Sequence, residues 1–399
     1  MQLTEQHILS RRDSRFEAVD QAAFAAKNLY NAANYLIRQT FIHEGTYLNY
    51  CAMHEQMKGT EQYKALPAKV SQQVLRMLDK NWQGFFGAMK AWRQDPSKFR
   101  ARPGLPRYLD KTEGRFALVY TIQALSRPAL KQGRLVPSGL AIEVKTKQTR
   151  IAQVRIVPRD GFYVVEVVYE KEIEQAAVDP TLVAAMDIGL NNLAAITSNK
   201  PGFVPVLVNG RPLKHLNQAF NKRIAELQTK LGRTGRTPLM TRITTRRTRR
   251  IDHYLHTHSR RIIELLVREG IGTLVIGKNP EWKQEINIGP RNNQQFVQVP
   301  HARFIEMLSY KAELVGIQVL VVNESHTSKC SFLDHEPVGH HVQYTGRRIK
   351  RGLFRAADGR LINADVNGAY NILRKAIPNA FGNGTAGVVV HPVGIAPTH

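Results

Sequence analysis

Only two cysteines, Cys51 and Cys330, occur in 399 residues, which excludes a disulfide framework and suits a reducing cytoplasm. Acidic residues are scarce as well: 32 Asp and Glu stand against 57 Lys and Arg, a formal net charge of +25. An imbalance of that size points to a polyanionic partner. No apolar run approaches the length of a membrane span, and residues 1–7 lack a basic stretch leading into an apolar core. Neither a membrane segment nor a signal peptide is therefore expected, and the expected setting is a bacterial cytoplasm. With 43% hydrophobic residues the chain can build two or three domains with real cores, which excludes a disordered basic tail.

Two short strings in the C-terminal half carry the chemistry. In Met186-Asp187-Ile188-Gly189-Leu190-Asn191-Asn192-Leu193-Ala194, apolar residues 182–186 deliver an aspartate into a Gly- and Asn-containing turn. A buried strand presenting a carboxylate at its end reads this way. In Asn363-Ala364-Asp365-Val366-Asn367-Gly368-Ala369-Tyr370-Asn371-Ile372, an aspartate opens a segment whose apolar residues recur at helical spacing. Two aspartates on different elements of a strongly basic chain suit a hard-cation site acting on nucleic acid.

With Thr327-Ser328-x-Cys330 between them, these motifs resemble, in order and separation, those of the TnpB family. That family comprises RNA-guided nucleases of small bacterial insertion sequences, related to Fanzor proteins and type V CRISPR effectors. The resemblance covers most of residues 1–375. It implies a guide RNA from the element's end, a double-stranded DNA target, Mg²⁺ or Mn²⁺ as cofactor, and a monomer within the ribonucleoprotein.

The local patterns fit that organisation. Residues 2–9 read as a strand, residues 15–93 as helical, and residues 151–156 and 163–169 as a hairpin. From residue 182 the order is three strands, a long polar helical stretch, then strand, helix, strand, helix. The expected fold is multidomain α+β: an RNase H-like (RuvC) α/β nuclease domain plus a β-barrel wedge domain with an inserted helical recognition lobe. The wedge takes 1–13 and 97–178, the lobe 14–96, and the nuclease domain 179–328 and 361–376. A degenerate zinc-ribbon hairpin takes 329–360, and a flexible tail takes 377–399.

Relatives end one apolar strand in a third metal-binding Glu. The matching strand here reads Thr273-Leu274-Val275-Ile276-Gly277, so glycine stands in that place. Glu324, just past the apolar residues 319–322, is the favoured replacement, reaching sideways if the two strands are neighbours. Glu281 and Glu285 are weaker alternatives beyond Pro280. Asp187, Glu324 and Asp365 are thus the expected catalytic and metal-binding set.

Nucleic-acid contact is expected from residues 211–261, where fourteen Lys and Arg meet only Glu226 and Asp252. Arg246, Arg247, Arg249, Arg250, Arg260 and Arg261 are singled out there, with Arg347, Arg348, Lys350 and Arg351 in the degenerate ribbon. By resemblance, Lys69, Gln72 and Gln73 lie near the reader of a short motif beside the target. The aromatic stripe of residues 82–92 is expected to be core, and His256-Thr257-His258 a phosphate-facing surface. No zinc is expected: Cys330 lacks a second cysteine, and His335, His340 and His341 supply poor spacing. In place of zinc, Phe332, Leu353, Phe354 and Leu361 are expected to hold the hairpin. The resulting expectation is an RNA-guided, Mg²⁺-dependent DNA endonuclease. Its alternative is a nuclease-inactive, RNA-guided DNA-binding repressor of the same fold.

Overall fold

The computed structural model, which describes residues 1–232, 234–278, 299–382 and 388–395, separates the chain into two units, Met1–Lys171 and Glu172–His399. In the first, β1 (Gln2–Ser10) pairs antiparallel with β6 (Phe162–Glu170), Gln2 opposite Glu170 and Ser10 opposite Phe162. β6 returns from β5 (Ile151–Arg159) through Asp160-Gly161, where Gly161 takes φ 85° as a two-residue hairpin requires. β2 (Leu118–Thr121) completes a four-stranded sheet of order β1-β6-β5-β2, and β3 (Arg134–Leu135) pairs separately with β4 (Val144–Lys145). Among the described residues this is an open sheet, which corrects the expected barrel. Its order ends at β1 on one side and β2 on the other, with no pairing between those two strands.

Between β1 and β2 come α1 (Phe16–Glu44), α2 (Tyr50–Met57), α3 (Glu61–Lys64) and α4 (Ala68–Gln94). Gly45, at φ 67°, ends α1, and the Asn49 and Thr60 side chains cap α2 and α3. Helices and sheet share one core: Val19, Trp82, Tyr120, Val154 and Val165 belong to a single buried cluster. Trp82 is wholly buried and donates its indole N–H to Asn34 Oδ1 at 3.1 Å. Beyond β2 lies the short α5 (Arg127–Lys131).

The second unit is built on a six-stranded sheet of order β11-β10-β7-β8-β9-β15. β7 (Asp179–Asp187), β8 (Asn192–Ser198) and β9 (Val206–Asn209) form an antiparallel meander. α6 (Arg211–Leu231) and α7 (Pro238–Arg268) then lead to β10 (Ile271–Gly277), which lies parallel to β7. α8 (His301–Glu313) leads to β11 (Gln318–Val322), parallel to β10 on its other side. Side chains alternate across these strands. Ala184, Met186, Leu274 and Ile276 pack with α7 and α8 residues. Val183, Ala185 and Val275 pack on Ile372 and Leu373 of α9 (Ala364–Ala376). The sheet is therefore covered on both faces, with odd-numbered β7 and β10 positions turned to α9.

β12 (Arg347–Lys350), β13 (Leu353–Arg355) and β14 (Leu361–Asn363) make the ribbon remnant. Phe332 and Phe354 are buried in its core as expected, but Leu353 is half-buried and Leu361 is 41% exposed. Ile362 takes the inward place, because it pairs directly opposite buried Phe354 and so shares its face of the ribbon, while Leu361 alternates outward. The described part of the tail is also packed, contrary to expectation. β15 (Val393–Gly394) pairs parallel with β9, Val388 and Val390 pack on the Phe332 cluster, and Tyr370 Oη donates to Val389 O at 2.9 Å.

A candidate carboxylate site at the strand ends

β7, β10 and β11 run parallel, so their carboxyl ends lie at one edge of the sheet, where open α/β sheets place their sites. Ile276 pairs with Met186 and Gly277 with Val322, so Asp187, Gly277 and the end of β11 are level. Two strand spacings, about 10 Å, separate β7 from β11. The missing side chain at 277 opens that span. A Cβ built on Gly277 would stand 2.9 Å from Glu324 Oε2, so Glu324 leans into the space a strand-end side chain would fill.

Asp187 is turned to α9, and a second glycine makes room for it. A Cβ on Gly368 would lie 2.7 Å from Asp187 Oδ2. Asp365 enters from the first turn of α9, where the Asn363 side chain caps the helix by accepting from the Asp365 and Val366 N–H groups. A carboxylate in that position is favoured by the helix dipole. Asn192 Nδ2 donates to Asp365 Oδ2 at 2.7 Å, and Arg348 reaches Oδ1 at 3.4 Å.

The three motifs are physically tied. Thr327 donates its N–H and its hydroxyl to Glu324 O at 3.2 and 2.8 Å, bracing the loop beyond β11. Asn371 of α9 donates to Thr327 O and Cys330 O, and Asn367 donates to Cys330 O while accepting from Phe332 N–H. Spaced four residues apart on one face of α9, Asn367 and Asn371 fasten the Glu324 loop to the helix that carries Asp365. Asn192, Asn367, Asn371 and Gly368 all stand inside the motif strings, yet sequence reading assigned them no role. The four-residue spacing of Asn367 and Asn371 on one face of the helix is the signal that could have found that pair.

Electrostatics set the carboxyl groups apart from the basic surface. Desolvation, then the negative charges of Glu324 and Asp365, hold Asp187 well above the ordinary carboxylate range, with Arg348 opposing. Burial pushes Glu324 up to about 7, against the pull of Lys375. Among the described residues no three His, Cys, Asp or Glu side chains are grouped as an ion would hold them. Asp365 is instead engaged by Asn192 and Arg348. The donor set nevertheless fits a hard divalent cation: all oxygen, negatively charged, and led to one strand-end position by two glycines whose absent Cβ atoms make the space.

The other expected site residues are more dispersed. Lys69 is exposed on α4, Gln73 is half-buried, and Gln72 hydrogen-bonds Tyr63. On α7, Arg246, Arg249 and Arg250 are exposed, Arg261 is half-buried, and exposed Arg260 pairs with Glu264 at 2.6 Å. Arg247 is half-buried and engaged within its own unit. Its Nε donates to Asn217 Oδ1 at 2.8 Å and its guanidinium lies 4.8 Å over the Phe220 ring, so it joins α7 to α6. His258 is buried beside Tyr254, and burial lowers its pKa to about 4, so it is no phosphate-facing group. In the ribbon, Arg347 and Lys350 are exposed, while Arg351 donates to the Asn191 amide oxygen, turned toward it, at 2.6 and 2.8 Å. Glu281 and Glu285 lie outside the described residues.

Cys330 is buried, and desolvation raises its thiol pKa, away from the thiolate that zinc takes. A carboxylate ties the loop instead: buried Glu336 accepts from Ser331 N–H at 2.6 Å and Thr345 N–H at 2.8 Å. In buffer without Mg²⁺ or Mn²⁺, chelator should therefore leave the melting transition of the purified chain in place. Glu336→Ala should cost about 2–3 kcal/mol, because it strands the buried Ser331 N–H. A melting point that falls in EDTA, with stoichiometric zinc by elemental analysis, would refute this.

The chain is similar to several known proteins. A family model described as a probable transposase matches residues 166–283, and one for a Cas12f1-like TNB domain matches residues 301–372. A TnpB-like protein, ORF457 of Acidianus two-tailed virus, is 26% identical over 412 residues, covering 92% of this chain and 82% of that protein. The CRISPR-associated endodeoxyribonuclease Cas12f2 of a Micrarchaeota archaeon is 27% identical over 230 residues, or 54% of this chain and 41% of that protein. Among solved structures, Cas12f1 in its complex with sgRNA and target DNA is similar in fold. The TM-score is 0.56 at 13% identity, over 88% of this chain and 81% of that one. No described helix is long and apolar enough to cross a membrane. With the three motifs in order, two family models on the second half and a viral TnpB-like relative matched over most of its length, the chain is similar to TnpB-like proteins along most of its sequence.

Proposed function

We propose that the chain is an RNA-guided DNA endonuclease whose Asp187, Glu324 and Asp365 hold Mg²⁺ or Mn²⁺, with Glu172–His399 as an RNase H-like nuclease unit. The observation that carries this reading is the Glu324 carboxylate lying 2.9 Å from the Cβ that Gly277 lacks. A carboxylate is thus returned, from the neighbouring strand, to the strand end where the family keeps one. The relatives support the substrate class: one is named an endodeoxyribonuclease, and the similar Cas12f1 structure contains sgRNA and target DNA.

When bound, divalent ions supply a water of lowered pKa and a Lewis acid for the leaving oxygen. The chain's own residues prepare for this. Gly368 and Gly277 give Asp187 and Glu324 their positions, and Asn192 holds Asp365. Arg348 balances part of the buried negative charge. The exposed Arg246, Arg249, Arg250, Arg347 and Lys350 contact phosphate without reading sequence, which is left to base pairing.

Gly368→Ala separates position from fold. Alanine is the better helix former, by roughly 0.5–1 kcal/mol. Its Cβ would nevertheless press on Asp187 Oδ2 at 2.7 Å. The melting temperature should hold while guided cleavage drops roughly tenfold to a hundredfold. Unchanged cleavage would show that Asp187 tolerates displacement and is not a ligand.

A silent, RNA-guided repressor is the second reading, favoured by the glycine at 277 and by the absence, among the described residues, of a three-ligand group. Co-expression with the flanking element DNA, sequencing of the bound RNA and challenge with a randomised target library in Mg²⁺ decides between them. Matched targets should be cut beside one short motif. Binding to matched targets without cutting would favour the repressor, and no bound RNA would sink both.

A further inference from the structure

Only part of the aromatic stripe on α4 goes into the core. Trp82 is fully buried, but Phe85 and Phe86 are half-buried. With Phe41 of α1 and Met89 they line an open cavity of about 600 Å³, within the size range of small-ligand pockets. The rings are tilted against one another: Phe41 stands 5.7 Å from Phe86 at 63° and 6.4 Å from Phe85 at 87°. None of these contacts is a parallel stack that would cover a ring face.

The rim of this cavity is cationic. Lys90, Arg93 and Arg102 are exposed there, and among the described residues none is paired with a carboxylate. Asp95, the nearest acid in sequence, is taken by Ser97 and Lys98. Arg102 lies 5.8 Å over the Trp92 ring. An adjoining cavity of about 390 Å³ shares Phe85 and adds Gly84, Lys80 and Arg107. Gly84 and Gly87 weaken the middle of α4, yet a Cβ at either would meet nothing within 4 Å. That space is not used by the chain itself.

We propose that this cavity captures an unpaired nucleotide of bound RNA, its base against Phe41, Phe85 and Phe86 and its phosphates on Lys90, Arg93 and Arg102. An aromatic floor with an unpaired cationic rim matches a partner that alternates flat apolar units with negative charge, which describes single-stranded nucleic acid. A second copy of the chain is a poor occupant, since it would bring the same cations and the same net charge of +25. Duplex DNA keeps its bases stacked, whereas RNA loops and bulges offer bases splayed out for stacking. The source of the RNA rests on the RNA-guided reading; the pocket can be judged without any cleavage.

The test is ultraviolet crosslinking of the full chain with its co-purified RNA, and separately with a single-stranded RNA oligonucleotide, followed by mass-spectrometric mapping of adducts. An adduct within residues 80–94 is expected. Phe86→Leu, which keeps apolar volume without a ring face, should lower it about tenfold, and Phe86→Tyr should retain it. Arg93→Glu, exposed and outside the core, should lower it similarly at an unchanged melting temperature. An adduct with the oligonucleotide but no guided cleavage would sustain the pocket and count against the endonuclease. Guided cleavage with no adduct in 80–94, adducts from target DNA alone, or a dimer that Arg93→Glu dissolves would overturn the pocket.

Discussion

Asp187→Ala should yield a guide-bound chain that finds its target and no longer cuts it. Cleavage should fall on the order of a thousandfold or more, because several kcal/mol of charge stabilisation depend on the ion the carboxylate holds. Target affinity should stay within about threefold, since phosphate contacts elsewhere carry binding. The fold should not suffer, because the lost group is one that burial and its neighbours Glu324 and Asp365 already hold well above the ordinary carboxylate range. Mg²⁺ should raise the melting temperature of the wild type and leave that of Asp187→Ala in place, since a ligand stabilises only the state that binds it. Asp365→Ala should share the phenotype while also releasing Asn192 and Arg348. Robust cleavage by either variant would remove that residue from the site.

Glu324→Gln keeps shape and hydrogen bonding and removes only the charge, so a similarly large loss is expected, again with binding spared. The geometry also dictates how the family's strand-end Glu could be restored. Gly277→Glu alone should fail, because its Cβ would stand 2.5 Å from Ile372 Cδ1 and 2.9 Å from Glu324 Oε2. Glu324→Ala removes the second obstacle and Ile372→Val the first. The combination with Gly277→Glu should recover about a tenth of wild-type cleavage, against roughly a thousandth for Glu324→Ala alone. Gln substitutions at Glu281 and Glu285 should do little. Full activity in Glu324→Gln would assign the third ligand elsewhere.

Asp187 and Asp365 were legible because local pattern announces them. An apolar run delivers the first into a turn, and helical spacing follows the second. Glu324 was legible only as one of three carboxylates, because whether β10 and β11 are neighbours is a tertiary fact that no local period contains. The same limit hid the inward turn of Arg247 and the burial of His258, which depend on what packs against α7. Strand closure is also non-local, so the hairpin of β5 and β6 could be read while the open edge at β2 could not. β15 spans two residues, too few for any alternation to register, and the packed tail was missed for that reason. Phe85 and Phe86 continue the helical spacing of Trp82, so periodicity assigned all three to the core; only burial separates them.

The most direct measurement is anomalous diffraction from crystals of the guide-bound chain grown with Mn²⁺, which locates the ion independently of activity. The predicted result is a peak within about 2.3 Å of oxygens from Asp187, Glu324 and Asp365, with Asp365 drawn from Arg348. A peak ligated by Asp187 and Asp365 but not Glu324, or none while Asp365 keeps its bonds to Asn192 and Arg348, would contradict it.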